Sequence, residues 1–225
     1  MILADTFEWS TFPDAIRFIR DNPHLLLDKS LQQLGLAIAA LAIAVAIALP
    51  LGVVLGHFHK GSFVAISVAN LGRALPSLVL IAFGLLVFGI GFWNNAAALI
   101  VLAVPPILTN AYFAVDEVDP NVVEAARGMG LTERQIVTGV ELPLGLPLLI
   151  AGIRNAAVFV VATATIAGIA GVEHGGLGQI MANSVTYGQD GVLAAAFVVA
   201  AMALLTNFAL GLAQQAASRR MAPRA

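Results

Sequence analysis

Two short clusters in this chain carry side chains of the kind that bind metals or move protons. His57 and His59 stand beside Lys60, and Glu173 precedes His174. A zinc site needs three or four ligands, and no further ligand follows either cluster at a useful spacing. No nucleophile, base and orienting residue can be grouped from the sequence either. We therefore expect these side chains to be solvated loop residues, and we predict neither a catalytic site nor a metal site.

Motifs and composition exclude other chemistries. The chain lacks the GxxxxGK[ST] loop that cradles nucleotide phosphates, so we expect no ATP hydrolysis and no cofactor in this chain. It contains no cysteine, which excludes disulfides and thiolate metal sites. The formal net charge of -2, with no basic cluster, argues against nucleic acid as a partner.

The composition points instead to a membrane protein. Hydrophobic residues make up 60% of the chain and charged residues 11%, about half the charged fraction of a typical soluble domain. Because a spanning helix needs about 20 apolar residues, five stretches qualify: 31–56, 63–90, 95–115, 143–170 and 191–214. We predict an all-α, polytopic membrane protein with about five transmembrane helices. Its parts are an external or interfacial segment (1–30), a transmembrane domain (31–215) and a cytoplasmic tail (216–225).

The orientation follows from the Lys and Arg residues of the loops. If residues 116–142, here called the polar segment, are cytoplasmic, more basic residues lie inside than outside, as is usual for membrane proteins. The inside set is Lys60, Arg127, Arg134, Arg219, Arg220 and Arg224, and the outside set is Arg17, Arg20 and Lys29. This arrangement places the N-terminus outside, the C-terminus in the cytoplasm, and Trp9 and Trp93 at the outer interface.

The N-terminal residues Phe12, Ile16 and Ile19 recur at helical spacing. This pattern is typical of a short helix on the outer membrane surface. A merely polar tail is the alternative.

The polar segment is dense in helix start and stop signals. Asp119 followed by Pro120 forms an N-cap with proline at the first helical position, and Gly130 suits a left-handed stop, so we predict a helix from Pro120 to Met129. Thr132 and Gln135 then form a capping-box pattern that begins a second helix, with Leu131 and Ile136 placed as a hydrophobic staple. We expect a rigid, shaped element.

The first of these helices has an apolar surface of small and medium side chains. This surface fits the groove of a partner protein, and packing against the chain's own helices is the alternative. Its residues are Val122, Val123, Ala125, Ala126 and Met129.

The sequence EAARGMG, followed nine residues later by VELP, resembles the signature of type I ATP-binding-cassette importer permeases. The matching residues are Glu124, Ala125, Ala126, Gly130, Leu142 and Pro143, and Val140 replaces the usual isoleucine. The resemblance implies a methionine-importer-like fold in the bacterial cytoplasmic membrane. It also implies that these residues couple transport to two ATPase subunits, which bind ATP and magnesium. A second permease subunit, identical or different, and an external substrate-binding protein complete the implied assembly.

Further segments narrow the group: ALPSLVLIAFGLLVFGIG, LAVPPILTNAY, VELPLGLPLLIAGIRNA and GVEHGGLGQIM. They are similar to permeases for the osmoprotectants glycine betaine, carnitine and choline. Arg73 and Ala74 stand where that group commonly has Gln and Thr, so another small polar solute (an amino acid, taurine or a phosphonate) is the alternative substrate. A channel or carrier without an ATPase is a further alternative. The polar segment argues against it, because it resembles the ATPase-coupling signature.

Polar residues within the spans are candidates for the substrate pathway. Arg73 lies near mid-bilayer, where a charge is costly and faces the bundle interior. For Arg73 the alternative is a buried charge that fixes helix packing, or a position nearer the interface. For the Ser, Thr and Asn residues the alternative is a hydrogen bond to a carbonyl of their own or a neighbouring helix. The candidates are Asn70, Arg73, Ser77, Thr109, Asn110, Thr163 and Thr165. Arg154 is expected to extend toward the cytoplasm.

Overall fold

The computed structural model describes residues 11–61, 63, 65, 67, 68, 70, 76–89, 91–169 and 175–221. Within these residues the chain is helical and contains no strand. The helices are α1 (Thr11–Asp21), α2 (Pro23–His57), α3 (Ser77–Phe88), α4 (Phe92–Asp116), α5 (Pro120–Gly128), α6 (Glu133–Ile136), α7 (Leu142–Ile169), α8 (Gly178–Ala182) and α9 (Ser184–Met221). A π-helical turn, Val137–Glu141, joins α6 to α7.

The prediction of an all-α polytopic protein is confirmed. Among the described residues, four helical stretches are long and apolar enough to cross a membrane: Pro23–His57, Phe92–Asp116, Glu133–Gly168 and Ser184–Arg219. The shorter apolar helix α3 forms the second half of the predicted span 63–90. Trp9, Arg73, Ala74, Glu173 and His174 lie outside the described residues.

Helix α4 lies at the centre of the bundle and packs against α2, α3 and α7. The contact with α2 is close because two glycines face α4. A Cβ atom added to Gly52 would lie 2.6 Å from the Ala111 Cβ, and one added to Gly56 would lie 2.5 Å from the Tyr112 carbonyl oxygen. Small residues of this kind let the backbones of membrane helices approach one another. Helices α2 and α4 therefore form one tightly packed pair.

Helix α2 is longer than the membrane is thick. Its 35 residues extend about 52 Å, whereas the hydrocarbon core measures about 30 Å. The apolar run from Leu34 to Leu55 extends about 33 Å, enough to cross that core, and His57, the last residue of α2, follows this run. It is held there beside the polar segment.

Helix α9 packs on α7 and carries α1 on its other side. Gly188, with a φ of +68°, interrupts α9 near its start, so the spanning part follows this residue. Arg154 of α7 donates from Nε to Asn207 Oδ1 at 2.8 Å and from Nη1 to Gln214 Oε1 at 3.2 Å, both on α9. Its side chain thus reaches toward the C-terminal half of α9.

The N-terminal helix is present as predicted, but its packing face differs in detail. The rings of Phe12 and Phe197 lie 6.0 Å apart, and Ala15 is fully buried. Ile16, which the helical spacing grouped with Phe12, is 66% exposed. The helix therefore rests on α9 through one face and leaves Ile16 on the other.

Candidate functional site

The residues of the polar segment that predict helix starts and stops adopt the predicted local structures. The Asp119 carboxylate accepts a hydrogen bond from the Asn121 backbone N–H at 2.9 Å, which caps α5. The helix ends at Gly128, one residue earlier than expected, and Met129 follows as its C-cap. Gly130 has a φ of +84°, a left-handed conformation that favours glycine. The predicted cap and stop are confirmed.

The second helix begins at the predicted capping box. The Thr132 backbone N–H donates to Gln135 Oε1 at 2.8 Å, and the Gln135 backbone N–H donates to Thr132 Oγ1 at 3.4 Å. A π-helical turn follows and leads directly into α7. Single π-turns of this kind are frequent at functional sites. The polar segment is therefore a continuous rigid element joined to a spanning helix.

An ion pair closes the turn between α5 and α6. Arg127 donates from Nε and Nη2 to the two carboxylate oxygens of Glu133, each at 3.0 Å. These hydrogen bonds hold the pKa of Glu133 below its usual value and raise the pKa of Arg127. Both side chains are about half exposed, so the pair defines the geometry of the turn more than it stabilises the fold.

The apolar face of α5 is divided between two environments. Ala126 is 2% exposed and packs against the chain itself, as does Ile136 of α6, which is fully buried. Val122 and Met129 are 42% and 74% exposed, and they lie on the same side of α5 as the exposed Ala125. The chain itself thus covers part of this surface and leaves the rest exposed.

A groove of 480 Å³ adjoins the start of α5 and lies between α4 and α7. Its walls are mostly apolar, and two carboxylates stand at the turn that precedes α5. The lining residues are Phe113, Ala114, Glu117, Val118, Asp119, Val122, Leu144, Gly145, Pro147 and Leu148. Because Val122 belongs both to the groove and to the exposed face of α5, the two surfaces are continuous.

The expectation that His57 is a solvated loop residue was wrong. Its side chain is 7% exposed. Its Nδ1 lies 2.8 Å and 3.0 Å from the two carboxylate oxygens of Glu141, and its Nε2 lies 3.2 Å from Glu133 Oε2. Glu141 is itself buried, with 3% of its side chain exposed. The ring is buried because the π-helical turn aims Glu141 at the end of α2.

His59 behaves as the sequence predicts. It is 60% exposed, and its Nδ1 lies 2.7 Å from Asp116 Oδ1. Within the part of the chain that the structure describes, no group of three or more potential ligands is placed to hold a metal ion.

The described candidate pathway residues belong to several parts of the chain: Asn70 precedes α3, Ser77 begins α3, Thr109 and Asn110 lie on α4, and Thr163 and Thr165 lie on α7. Thr109 Oγ1 donates to the Ala65 carbonyl at 3.3 Å, and Asn110 Nδ2 donates to the Pro106 carbonyl at 2.7 Å. Thr163 and Thr165 are each 6% exposed. Asn70 is exposed and Ser77 is half-buried at the start of α3. Thr109 and Asn110 thus bond helix carbonyls, the alternative considered for them, whereas Thr163 and Thr165 are buried.

Gln33 is a structural residue that the sequence analysis missed. It is 1% exposed and donates from Nε2 to the Val161 carbonyl at 2.9 Å and to Thr165 Oγ1 at 3.0 Å. Its Oε1 accepts from the Leu177 backbone N–H at 3.2 Å. This one side chain ties α2 to α7 and to the turn before α8. A single amide at the start of an apolar run gives no sequence signal of such a role.

Known proteins are similar to this chain in both sequence and fold. The chain is 36% identical over 197 residues to the carnitine transport permease protein OpuCB of Listeria monocytogenes, covering 87% of this chain and 89% of that protein. It is 33% identical over 201 residues to the choline transport system permease protein OpuBB of Bacillus subtilis (strain 168), covering 89% and 92%.

Among solved structures, the chain is similar to one from the MetNI methionine ABC transporter in an inward-facing conformation. The TM-score is 0.73 at 27% sequence identity, over 87% of this chain and 98% of that one. The family model described as binding-protein-dependent transport system inner membrane component matches residues 48–223. With its apolar spans and its rigid polar segment, this chain belongs to the family of inner membrane components of binding-protein-dependent transport systems.

Proposed function

We propose that this chain is the permease subunit of an importer for glycine betaine, carnitine or choline. The observation that carries the proposal is the set of curated relatives, which are named as permeases for carnitine and choline and match nearly the whole chain. A third relative, from Bacillus subtilis (strain 168), is named for glycine betaine, carnitine and choline together. The substrates share a compact, charged, methylated nitrogen, so one permease architecture serves all three.

The partners follow from the same proposal. Two ATPase subunits bind ATP and magnesium, a second permease chain completes the passage, and an external binding protein delivers the substrate. The polar segment faces the cytoplasm and the N-terminus lies outside, as the distribution of Lys and Arg favours. This chain moves the solute and hydrolyses nothing itself.

The docking surface for the ATPase is the exposed face of α5. Val122 and Met129 stand in water on an otherwise polar segment, and the adjoining groove extends this apolar area. An amphipathic helix that leaves its apolar face open is suited to binding in a protein groove. Glu124, Ala125 and Ala126 of α5, with Gly130, Leu142 and Pro143, carry the coupling.

The substrate pathway is proposed to involve Asn70, Arg73 and Ser77, with Thr109 and Asn110 on the neighbouring α4. Thr163 and Thr165 are not carried forward, because both are buried and Thr165 accepts a hydrogen bond from Gln33. The conversion of Arg73 to Gln, the residue type common in this group, should alter uptake and spare ATP hydrolysis.

Uptake by the reconstituted complex tests the proposal. The permease, its ATPase and its binding protein are assembled in proteoliposomes, and accumulation of radiolabelled glycine betaine, carnitine and choline is measured with ATP and with a non-hydrolysable analogue. Methionine, taurine and a phosphonate serve as the comparison panel. ATP-dependent uptake of at least one of the three osmoprotectants is expected. Uptake restricted to the comparison panel would assign a different substrate, and equal uptake without hydrolysis would indicate a channel or carrier.

A further inference from the structure

A chain of ionisable side chains joins the polar segment to the bundle. Arg127 of α5 binds Glu133 of α6, Glu133 lies 3.2 Å from His57 Nε2, and His57 Nδ1 lies 2.8 Å from Glu141 in the π-helical turn. In its protonated form an imidazole ring donates from both nitrogens, and the two carboxylates supply the matching acceptors. Side chains of α5, α6 and the π-helical turn are therefore linked to the end of α2.

The contact between His57 and Glu141 is buried, which separates it from ordinary surface ion pairs. The exposed fractions are 7% for the His57 side chain and 3% for the Glu141 side chain. A carboxylate removed from water to this degree is costly unless a partner pairs with it. Separation of the two residues therefore carries a larger penalty than separation of the exposed pair of His59 and Asp116. The buried contact resists being pulled apart.

Behind His57, the packing of α2 is rigid. Gly52 and Gly56 lie directly against the backbone and Cβ atoms of α4, and separating the two helices would lose these packing contacts. A displacement of the end of α2 is therefore shared with α4, the central helix of the bundle.

We propose that His57 is a positioning residue for ATP-driven transport. By holding Glu141 and Glu133, it fixes the polar segment to α2, so that a movement of α5 reaches the pair of α2 and α4 as well as α7. Helix α7 continues covalently from the π-helical turn and receives the movement in any case. Without the His57 contact, a movement of α5 reaches α2 only indirectly, through the packing of α7 against α4. The inference rests on the proposed function only in requiring an ATPase partner.

A double variant separates coupling from folding. His57→Phe combined with Glu141→Met keeps the volume of both side chains and removes the charge that a single substitution would leave unpaired, a replacement that buried ion pairs commonly tolerate. His59→Asn is the matched control, because His59 is two residues away, exposed and also paired with a carboxylate. Asparagine tolerates the left-handed backbone that His59 adopts.

The first measurement is the amount of glycine betaine accumulated per ATP hydrolysed by the complete complex in proteoliposomes. Between about twofold and thirtyfold less betaine per ATP is expected for the double variant, with its thermal unfolding temperature and its ATP hydrolysis kept. The ratio for His59→Asn should equal that of the unmodified chain. An unchanged ratio in the double variant overturns the proposal.

The second measurement does not depend on the identity of the substrate. The chain contains no cysteine, so Val54→Cys on α2 and Arg134→Cys on α6 accept spin labels at two chosen positions. With labelled chains diluted among unlabelled ones, the distance between the labels should stay constant when ATP binds, and it should change in the double variant. The same distance change in both proteins overturns the proposal. A third outcome is that the unmodified complex keeps its label distance constant on ATP binding, with the double variant changing it, and yet transports no osmoprotectant. That result counts against the proposed function alone.

Discussion

The side chain of Gln33 donates a hydrogen bond from α2 to the carbonyl of Val161 on α7, at 2.9 Å. Its neighbour Gln32 instead donates a hydrogen bond from Nε2 to Asp28 Oδ2 at 2.8 Å, on the exposed side of the same helix. Adjacent residues of one type thus have opposite environments. This contrast gives a matched pair of substitutions.

Gln33→Leu should destabilise the protein by about 1–3 kcal/mol, because the Leu177 N–H loses its acceptor in a buried place. Gln32→Leu should change the stability by less than about 0.5 kcal/mol, as is usual for surface positions. Thermal unfolding of both variants in the same detergent provides the comparison. Equal unfolding temperatures would show that the three hydrogen bonds of Gln33 contribute nothing.

Gly130→Val should disable transport while leaving the protein inserted in the membrane. A Cβ atom at Gly130 meets no atom within 4 Å, so the only cost is the positive φ, at about 1 kcal/mol or more. Gly128→Val is the control, since its Cβ also meets no atom and its backbone is helical. ATP-driven uptake and membrane yield are measured for both. Full uptake by Gly130→Val would mean that the shape of this turn is not used in coupling.

Met129→Gln should weaken the association with the ATPase, because a polar side chain replaces an apolar one on the proposed docking face. Met129→Leu, which keeps an apolar side chain of similar size, should bind as the unmodified chain does. The quantity to measure is the amount of ATPase that copurifies with each tagged permease. Equal recovery with all three chains would place the docking surface elsewhere.

The ion pair of Arg127 and Glu133 predicts a pH dependence confined to the turn between α5 and α6. Its hydrogen bonds hold the pKa of Glu133 below the usual 4.5. Because the folded pKa lies below the unfolded one, the stabilisation is complete above about pH 4.5 and is lost as the pH falls through the lowered value. Amide hydrogen exchange of residues 128–133, corrected for intrinsic rates, should therefore rise on acidification.

Arg127→Gln should remove most of this extra pH dependence, since the pKa of Glu133 then moves back toward its usual value. Arg134→Gln, another exposed arginine of the polar segment, should keep it. If Arg127→Gln and the unmodified chain respond to acid in the same way, the pair does not hold the turn.

The parts of the candidate site that the sequence predicted are those set by neighbouring residues. Asp119 caps the helix that begins beside it, Gly130 ends it, and Thr132 pairs with Gln135 three residues later. Caps and left-handed stops depend on backbone geometry within one turn, so their residue types predict them. The four long apolar helices were equally predictable, because the bilayer sets their length.

The contacts between distant residues were not predictable in this way. His57 and Glu141 are 84 positions apart, and their meeting depends on the π-helical turn, which inserts an extra residue and changes which side chain faces α2. The residue types at 137–141 do not predict that turn. The same limit applies to Gln33, whose partners lie 128, 132 and 144 positions away.

The separation of His57 from Glu141 along the chain also orders the biogenesis of the protein. The ribosome completes α2 long before it makes residue 141, so a nascent chain that has inserted its first spans still lacks the carboxylates that hold His57. The contacts of His57 with Glu133 and Glu141 form only after the whole polar segment has been synthesised and the synthesis of α7 has begun. A chain interrupted before that point therefore has a first span whose terminal histidine lacks both of its carboxylate partners.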